Sequence, residues 1–229
     1  GNSGVILSQL WRGFARTLDN YDSMDAALFI RSLNEGKITA YKGVVRPVEG
    51  TILTVAKDVA AAAEQLGNET DDLITIIEKL VVVADESVQR TPELLPILKQ
   101  AGVVDSGGKG LFFILDGMLR YIKGHPLDTP VSSVQPLEAM ELDGAMDSIE
   151  PGQDYEVVVD FEPFKELNLD AFYTGLSKIG TSIQVGEGDS MYRMHIHVPT
   201  DKRYEPIDYV MKLGTITKVA MENLVEQME

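Results

Sequence analysis

The apolar residues of this chain change their repeat length part-way along, and that change demands two unlike folding units. In the first part they recur every three to four positions, as in Ile6, Leu7, Leu10, Trp11, Phe14 and Leu18, which make one helical stripe. In the last part they alternate: Tyr155, Val157, Val159 and Phe161 stand against Glu156, Val158 and Asp160, which is a strand pattern. Between the two, Pro126, Pro130, Pro136 and Pro151 punctuate a stretch without Lys or Arg that carries Glu138, Glu141, Asp143, Asp147 and Glu150. Like charge and proline make that stretch an extended acidic linker. The expected division is a helical domain over 1–123, a linker over 124–153 and an α/β domain over 154–229.

Within the helical part, Asp22 or Ser23 caps a second helix with Ala26, Ala27, Ile30 and Leu33 as its stripe, ending near Gly36. Residues 37–49 read as a loop. Thr51–Leu66 is an Ala-rich helix closed by Gly67 and Asn68, and Thr70-Asp71-Asp72 opens another with Leu73, Ile76, Ile77 and Leu80 inside. Thr91-Pro92-Glu93 reads as a further helix start with proline in its first turn. Leu111–Ile122 is the last helix. Short connections between striped helices imply an antiparallel bundle or barrel. In the tail, a helix over Leu167–Ile179, strands over Ser182–Val185 and Met191–Val198, a helix over Glu205–Leu213 and a strand over Thr215–Leu224 follow the first strand. The order βαββαβ is a ferredoxin-like split unit. The fold class is therefore multi-domain, α followed by α+β.

Composition narrows the function. With 229 residues, 44% of them hydrophobic, the chain fills one large or two small cores. No apolar run reaches about 18 residues, so no membrane span is expected. Gln9 and Arg12 break the apolar start Val5–Leu10, and no cleavage-like signal follows. Zero cysteines exclude a disulfide scaffold and a thiolate metal site, in keeping with the cytoplasm. A net charge of −16 favours solubility and opposes nonspecific binding to nucleic acid or anionic membrane.

Two glycine-rich runs stand at helix starts. Gly1-Asn2-Ser3-Gly4 leads into the first helix, and Asp105-Ser106-Gly107-Gly108-Lys109 into the last. Free backbone N–H groups and a positive dipole end suit an anion such as a phosphate, while ordinary capping explains either run taken singly. Asn2, Ser3, Asp105, Ser106 and Gly107 are the candidate contacts. Thr51 is an adequate cap, Lys109 is either a phosphate neutraliser or solvated, and Arg90 reads as a solvated cation near a helix end. His195 and His197 flank Ile196 on one strand, so their rings share a face. They form either a metal clamp or a polar cross-strand cluster with Arg193. No Ser-His-Asp or Cys-His arrangement is arguable.

Three runs in order, GNSGVILSQLWRGF, AYKGVVRPVEGTILTV and AGVVDSGGKGL, resemble the DhaL-type domain of the ATP-binding subunit of bacterial fatty acid kinase, a relative of the dihydroxyacetone kinase L subunit. The tail SIQVGEGDSMYRMHIHVPT with KLGTITKVAMENL resembles the middle domain of the same kinase component.

The resemblance implies ATP or ADP with Mg2+, contacted by the turns at Asn2 and Ser3, at Thr51, and at Asp105, Ser106 and Gly107. It places Arg90 near an arginine that meets phosphates in the related kinase. It implies a substrate carboxylate as nucleophile, presented by a separate fatty-acid-binding partner that docks on a further C-terminal domain, and a homodimer. The magnesium-holding aspartates of the family precede the GNSG run, so the chain reads as an N-terminally truncated piece, inactive by itself. Phosphorylation of dihydroxyacetone and a non-catalytic dimerisation or regulatory module are the alternatives. Family members join a first-strand Cys to the two histidines. Here Glu156 takes that place, which makes Glu156, His195 and His197 the candidate zinc ligands, with weaker binding than a thiolate set gives.

Overall fold

The computed structural model describes residues 2–125, 152–187 and 190–225. The expected linker falls almost wholly outside the described residues, as do Gly188 and Asp189 between the strands expected over Ser182–Val185 and Met191–Val198. Contacts divide the chain into two compact units. One comprises residues 10–41 and 47–145; the other comprises 1–9, 42–46 and 146–229.

The first unit is helical. It takes most of α1 (Asn2–Leu18) and α2 (Ala26–Lys42), then α3 (Ile52–Leu66), α4 (Leu73–Leu94), the short α5 (Pro96–Gln100) and α6 (Ser106–Ile122). Its core is apolar in the helical rhythm: Ile52, Val55 and Val59 of α3, Ile76, Leu80 and Ala84 of α4, and Leu115 of α6 are all at most 2% exposed. Asp72 caps α4 as the sequence implies, its carboxylate accepting from Thr75 N.

Among the first four helices three boundaries differ from the sequence reading, each for a local physical reason. Helix α2 starts one turn later than Asp22 or Ser23 would allow, because Asp25 is the cap: its Oδ1 accepts from Leu28 N at 2.8 Å. The stripe then runs through Ala26, Phe29, Ser32, Gly36 and Ala40, with Ala27 exposed. Gly36 does not end α2. A Cβ there would lie 2.7 Å from the Leu10 carbonyl oxygen, so this glycine lets α1 and α2 approach closely, and residues 37–42 continue the helix.

Pro92 sits in the last turn of α4 rather than in the first turn of a new helix. Lacking an N–H, it leaves the Val88 carbonyl without its usual helical donor, and the Thr91 hydroxyl donates to that oxygen instead at 2.7 Å. The next break comes at Leu95, where α5 opens on Pro96.

The second unit carries the ferredoxin-like order β1 (Tyr155–Pro163), α7 (Leu169–Leu176), β2 (Thr181–Glu187), β3 (Tyr192–Val198), α8 (Glu205–Met211) and β4 (Gly214–Asn223). The four strands lie in the order β2-β3-β1-β4, every neighbouring pair antiparallel. One face of the sheet is apolar. Val157, Val159, Phe161, Met194, Ile196 and Val198 are each 0% exposed and pack with Phe172 and Leu176 of α7 and Val210 of α8. The other face carries Glu156, Asp160, Gln184 and His195, polar groups that are nevertheless buried. Residues 42–46 add to the β2 edge, with Val185 N donating to the Gly43 carbonyl at 3.0 Å and Val44 bridging Gln184.

Gly36→Ala tests the helix approach. In an exposed helix interior the change would stabilise by about 1 kcal/mol. Against a backbone oxygen that cannot turn aside, overpacking outweighs it, and a net loss of about 1–3 kcal/mol in urea unfolding is expected.

Candidate functional site

In the helical unit the glycine-rich run does not precede α6 but forms its first turn. Asp105 is the N-cap, and its Oδ2 accepts from Gly108 N at 2.6 Å. The same carboxylate accepts from the backbone N–H of Ile52, the first residue of α3. Its own N–H donates to the Thr91 hydroxyl of α4 at 3.0 Å. One residue therefore ties three helices. Burial pushes the Asp105 carboxyl above its usual range, and the Gly108 and Ile52 N–H groups pull it back. Asp105 is a candidate nucleotide contact by sequence; the structure commits its oxygens to protein N–H groups.

The α3 start is closed in the same way. Gly50, at φ +84°, turns the chain into it, and a Cβ there would lie 2.8 Å from the Thr91 carbonyl oxygen. The Thr51 hydroxyl donates to the Val48 carbonyl at 2.8 Å and accepts from Leu53 N at 3.3 Å. Thr54 N bonds the Thr51 carbonyl at 2.9 Å. With Ile52 N on Asp105, the first three donors of α3 are used. At α6 only the third is. Ser106 N and Gly107 N, the first two residues of that helix, have no intrahelical acceptor by geometry. Ser106 is exposed and Gly107 half-exposed.

The nearby cations are paired. Arg90, expected as a solvated cation, binds Asp58 at 2.9 Å, and the Ser87 hydroxyl donates to the same carboxylate at 2.7 Å. Lys57 pairs with Glu49 at 2.7 Å. Lys109 bonds Asp85 at 2.9 Å and lies 4.2 Å from the Phe112 ring centroid. The other expected turn, Asn2 and Ser3, is the first turn of α1 and belongs to the sheet unit; Asn2 Oδ1 is buried there without a hydrogen-bond partner.

The polar face of the sheet holds the second site. Strands β1 and β3 pair so that Glu156 lies opposite His197 and Val158 opposite His195. Ligand atoms of Glu156, His195 and His197 lie within 4.8 Å of one another. Strand β2 slips its register between Thr181 and Gln184, and Ser182 there has φ +51°. This bulge brings the Ser182 carbonyl to 3.2 Å from His195 Nδ1. A carbonyl only accepts, so Nδ1 carries the ring proton and Nε2 of the neutral ring is a bare lone pair.

That lone pair stands 3.0 Å from Glu156 Oε1. The distance is that of a hydrogen bond, yet Nε2 carries no proton and is without a hydrogen-bond partner. His197 Nδ1 is likewise buried and unpartnered. Burial first, then the neighbouring His197, hold His195 down to about 4, against the opposing pull of Glu156. Burial also lowers His197. Two neutral imidazole nitrogens and a carboxylate oxygen, one imidazole oriented by a carbonyl behind it, are the chemistry of a divalent-cation site of the zinc class, and these residues fit such an ion. Arg193 is not part of this set; it forms a two-pronged pair with Asp160, both contacts at 2.6 Å.

The sequence named these three residues but missed Ser182, whose role depends on a bulge, and missed Asp105 as a clasp, which requires knowing that α3 and α6 start side by side.

In metal-free protein, His195 and His197 bind protons more readily unfolded than folded. Their contribution to stability is present above pH about 6.5 and is lost as pH falls toward 4. Melting of chelator-treated protein should show the sheet unit losing roughly 1 kcal/mol per pH unit across that window. His195→Gln should flatten the dependence.

A family model described as the DAK2 domain matches residues 1–120. A second, described as the FakA-like middle domain of fatty acid kinase, matches residues 150–229. A protein of Staphylococcus saprophyticus is 40% identical over 237 residues, a match covering 99% of this chain and 42% of that protein. Proteins of Staphylococcus aureus strains USA300 and N315 are each 38% identical over 234 residues, covering 99% of this chain and 42% of theirs. All three are described as uncharacterized proteins. The chain thus spans less than half the length of these relatives.

Proposed function

The chain belongs to the family that joins a DAK2 domain to a FakA-like middle domain of fatty acid kinase, and we propose that it supplies the nucleotide-binding and middle portions of a kinase subunit. In this reading the enzyme moves the γ-phosphoryl of ATP to a fatty acid carboxylate presented by a separate lipid-binding protein. The match of residues 150–229 favours a fatty acid over dihydroxyacetone as the acceptor. Among the described residues no helix is long and apolar enough to cross a membrane.

The observation that carries the reading is the start of α6. Asp105 uses the third N–H of that helix and the first of α3, which fixes the two helices and leaves Ser106 N and Gly107 N to point at a ligand. Phosphoryl transfer asks chiefly for positioning and for compensation of phosphate charge. A rigid helix N-terminus offers both. Magnesium bound with the nucleotide supplies further positive charge on the phosphates. In the middle unit, a zinc-class cation on Glu156, His195 and His197 supplies a Lewis-acidic charge. The protein's own part there is to hold three lone pairs on one buried face, with the Ser182 carbonyl fixing the His195 tautomer.

Ser106→Glu separates binding from folding. A carboxylate in the first turn of α6 favours the helix dipole, so melting should be unchanged or slightly raised. The same charge repels a phosphate at the adjacent N–H groups, and calorimetric titration should show ATP affinity falling about tenfold or more. Unchanged ATP affinity in this variant would remove the α6 start from the nucleotide site.

A further inference from the structure

We propose that the sheet unit carries a cleft for a monoanionic aliphatic carboxylate, between the β1–α7 connection and the end of α8. The ligand class is that of the acceptor proposed above, yet the inference stands on the lining of this cleft and needs no nucleotide.

Two local bonds shape the cleft. Phe164 N, just past β1, donates to the Leu213 carbonyl, just past α8, at 2.9 Å. Asn168 then caps α7, its Oδ1 accepting from Ala171 N at 2.9 Å. The connection 164–168 and the facing parts of α7 and α8 line a space of about 380 Å³. Small-molecule sites typically enclose about 300–1,000 Å³.

The floor is apolar and fixed. Phe172 is 1% exposed and stacks on Tyr209 at 5.7 Å, the ring planes 18° apart. Gly175 has no Cβ where the Tyr209 hydroxyl lies, so α7 and α8 hold that ring between them. Leu213 packs against the same core. Phe164 also lines the cleft and is 65% exposed. A large aromatic left in water beside an apolar floor is surface that an aliphatic chain would cover.

The charges decide the head group. Lys165 and Lys212 line the cleft and are exposed, and neither has an ion-pair or side-chain hydrogen-bond partner among the described residues. Elsewhere Lys57, Lys109 and Lys123 each bind a carboxylate. Glu166 is the acid of the lining, and Asp170 lies outside it. Two lysines against one glutamate leave a single positive charge, in a chain of net charge −16. One carboxylate balances that charge, whereas a phosphate dianion would leave negative charge over beside Glu166. Lysine stems lie along apolar surface while their ammonium groups reach a head group.

The test titrates the 229-residue chain, without ATP, with decanoate, butyrate, decyl phosphate and decanol below their micelle or solubility limits. Each buried methylene is worth about fourfold in affinity, so decanoate should bind roughly a hundredfold or more tighter than butyrate. Decanoate should also bind more tightly than decyl phosphate or decanol. In the double variant Lys165→Gln, Lys212→Gln, decanoate affinity should fall about fivefold while decanol affinity stays. Ala171→Trp fills the cleft from an exposed helix position. It should weaken decanoate and decanol alike by about tenfold or more, with melting unchanged.

Equal binding of decanoate and butyrate would overturn the inference, as would full decanoate affinity in Ala171→Trp. Decyl phosphate bound more tightly than decanoate would overturn it. Equal losses of decanoate and decanol in the lysine double variant would remove the lysines from the head group and overturn it too. If the parent binds no decanoate and Ala171→Trp converts a dimer to a monomer in sedimentation, the cleft is a contact between copies and the inference falls. None of these outcomes touches the α6 start, which Ser106→Glu tests separately.

Discussion

The helical unit depends on one carboxylate. A helix begins with donors that have no intrahelical acceptor, and here two helices begin beside one another. Asp105 answers both, accepting from Gly108 of its own helix and Ile52 of α3, while its N–H reaches Thr91 of α4. An uncapped pair of like dipole ends would repel, and a negative group between them turns that repulsion into attraction. The arrangement also sets what is left for a ligand. With α3 closed by Thr51 and Asp105, the donors that remain lie at the first two residues of α6, so the structural clasp and the proposed phosphate contact divide one helix start between them.

The sheet unit depends on an irregularity of the opposite kind. Regular pairing along β2 would send the carbonyls on its inner side to backbone N–H groups of β3. The slip between Thr181 and Gln184 frees the Ser182 carbonyl to meet a side chain. That single bond decides which nitrogen of His195 is protonated, and so turns a buried histidine into a lone-pair donor facing Glu156. The apolar face below tolerates the irregularity because Val157, Phe161, Met194 and Ile196 with α7 and α8 hold the sheet without help from the polar side.

Much of this was legible in the chain. The alternation from Tyr155 to Phe161 and the His-x-His spacing placed Glu156, His195 and His197 on one face once β1 and β3 were taken as neighbours, because a strand has a period of two whatever surrounds it. Thr51 and Asp72 were recognisable as caps for an equally local reason. Gly36 and Pro92 misled for the converse reason. Each is a helix breaker by local rule, and each is tolerated because a distant or neighbouring group compensates: the close passage of the Leu10 carbonyl in one case, the Thr91 hydroxyl in the other.

What the sequence determined by itself was the helical or strand character of most elements and the residue types available for chemistry, since these follow from repeat length and side-chain composition. What only the tertiary structure decided was which donors and acceptors are already in use. Asp105, Arg90 and Lys109 carry charges that look available in the sequence and are committed to Ile52, Asp58 and Asp85 in the fold. Gln184 looks ordinary and is left with an unpaired buried oxygen. Hydrogen bonding and burial depend on partners far away in the chain, and no local pattern records them.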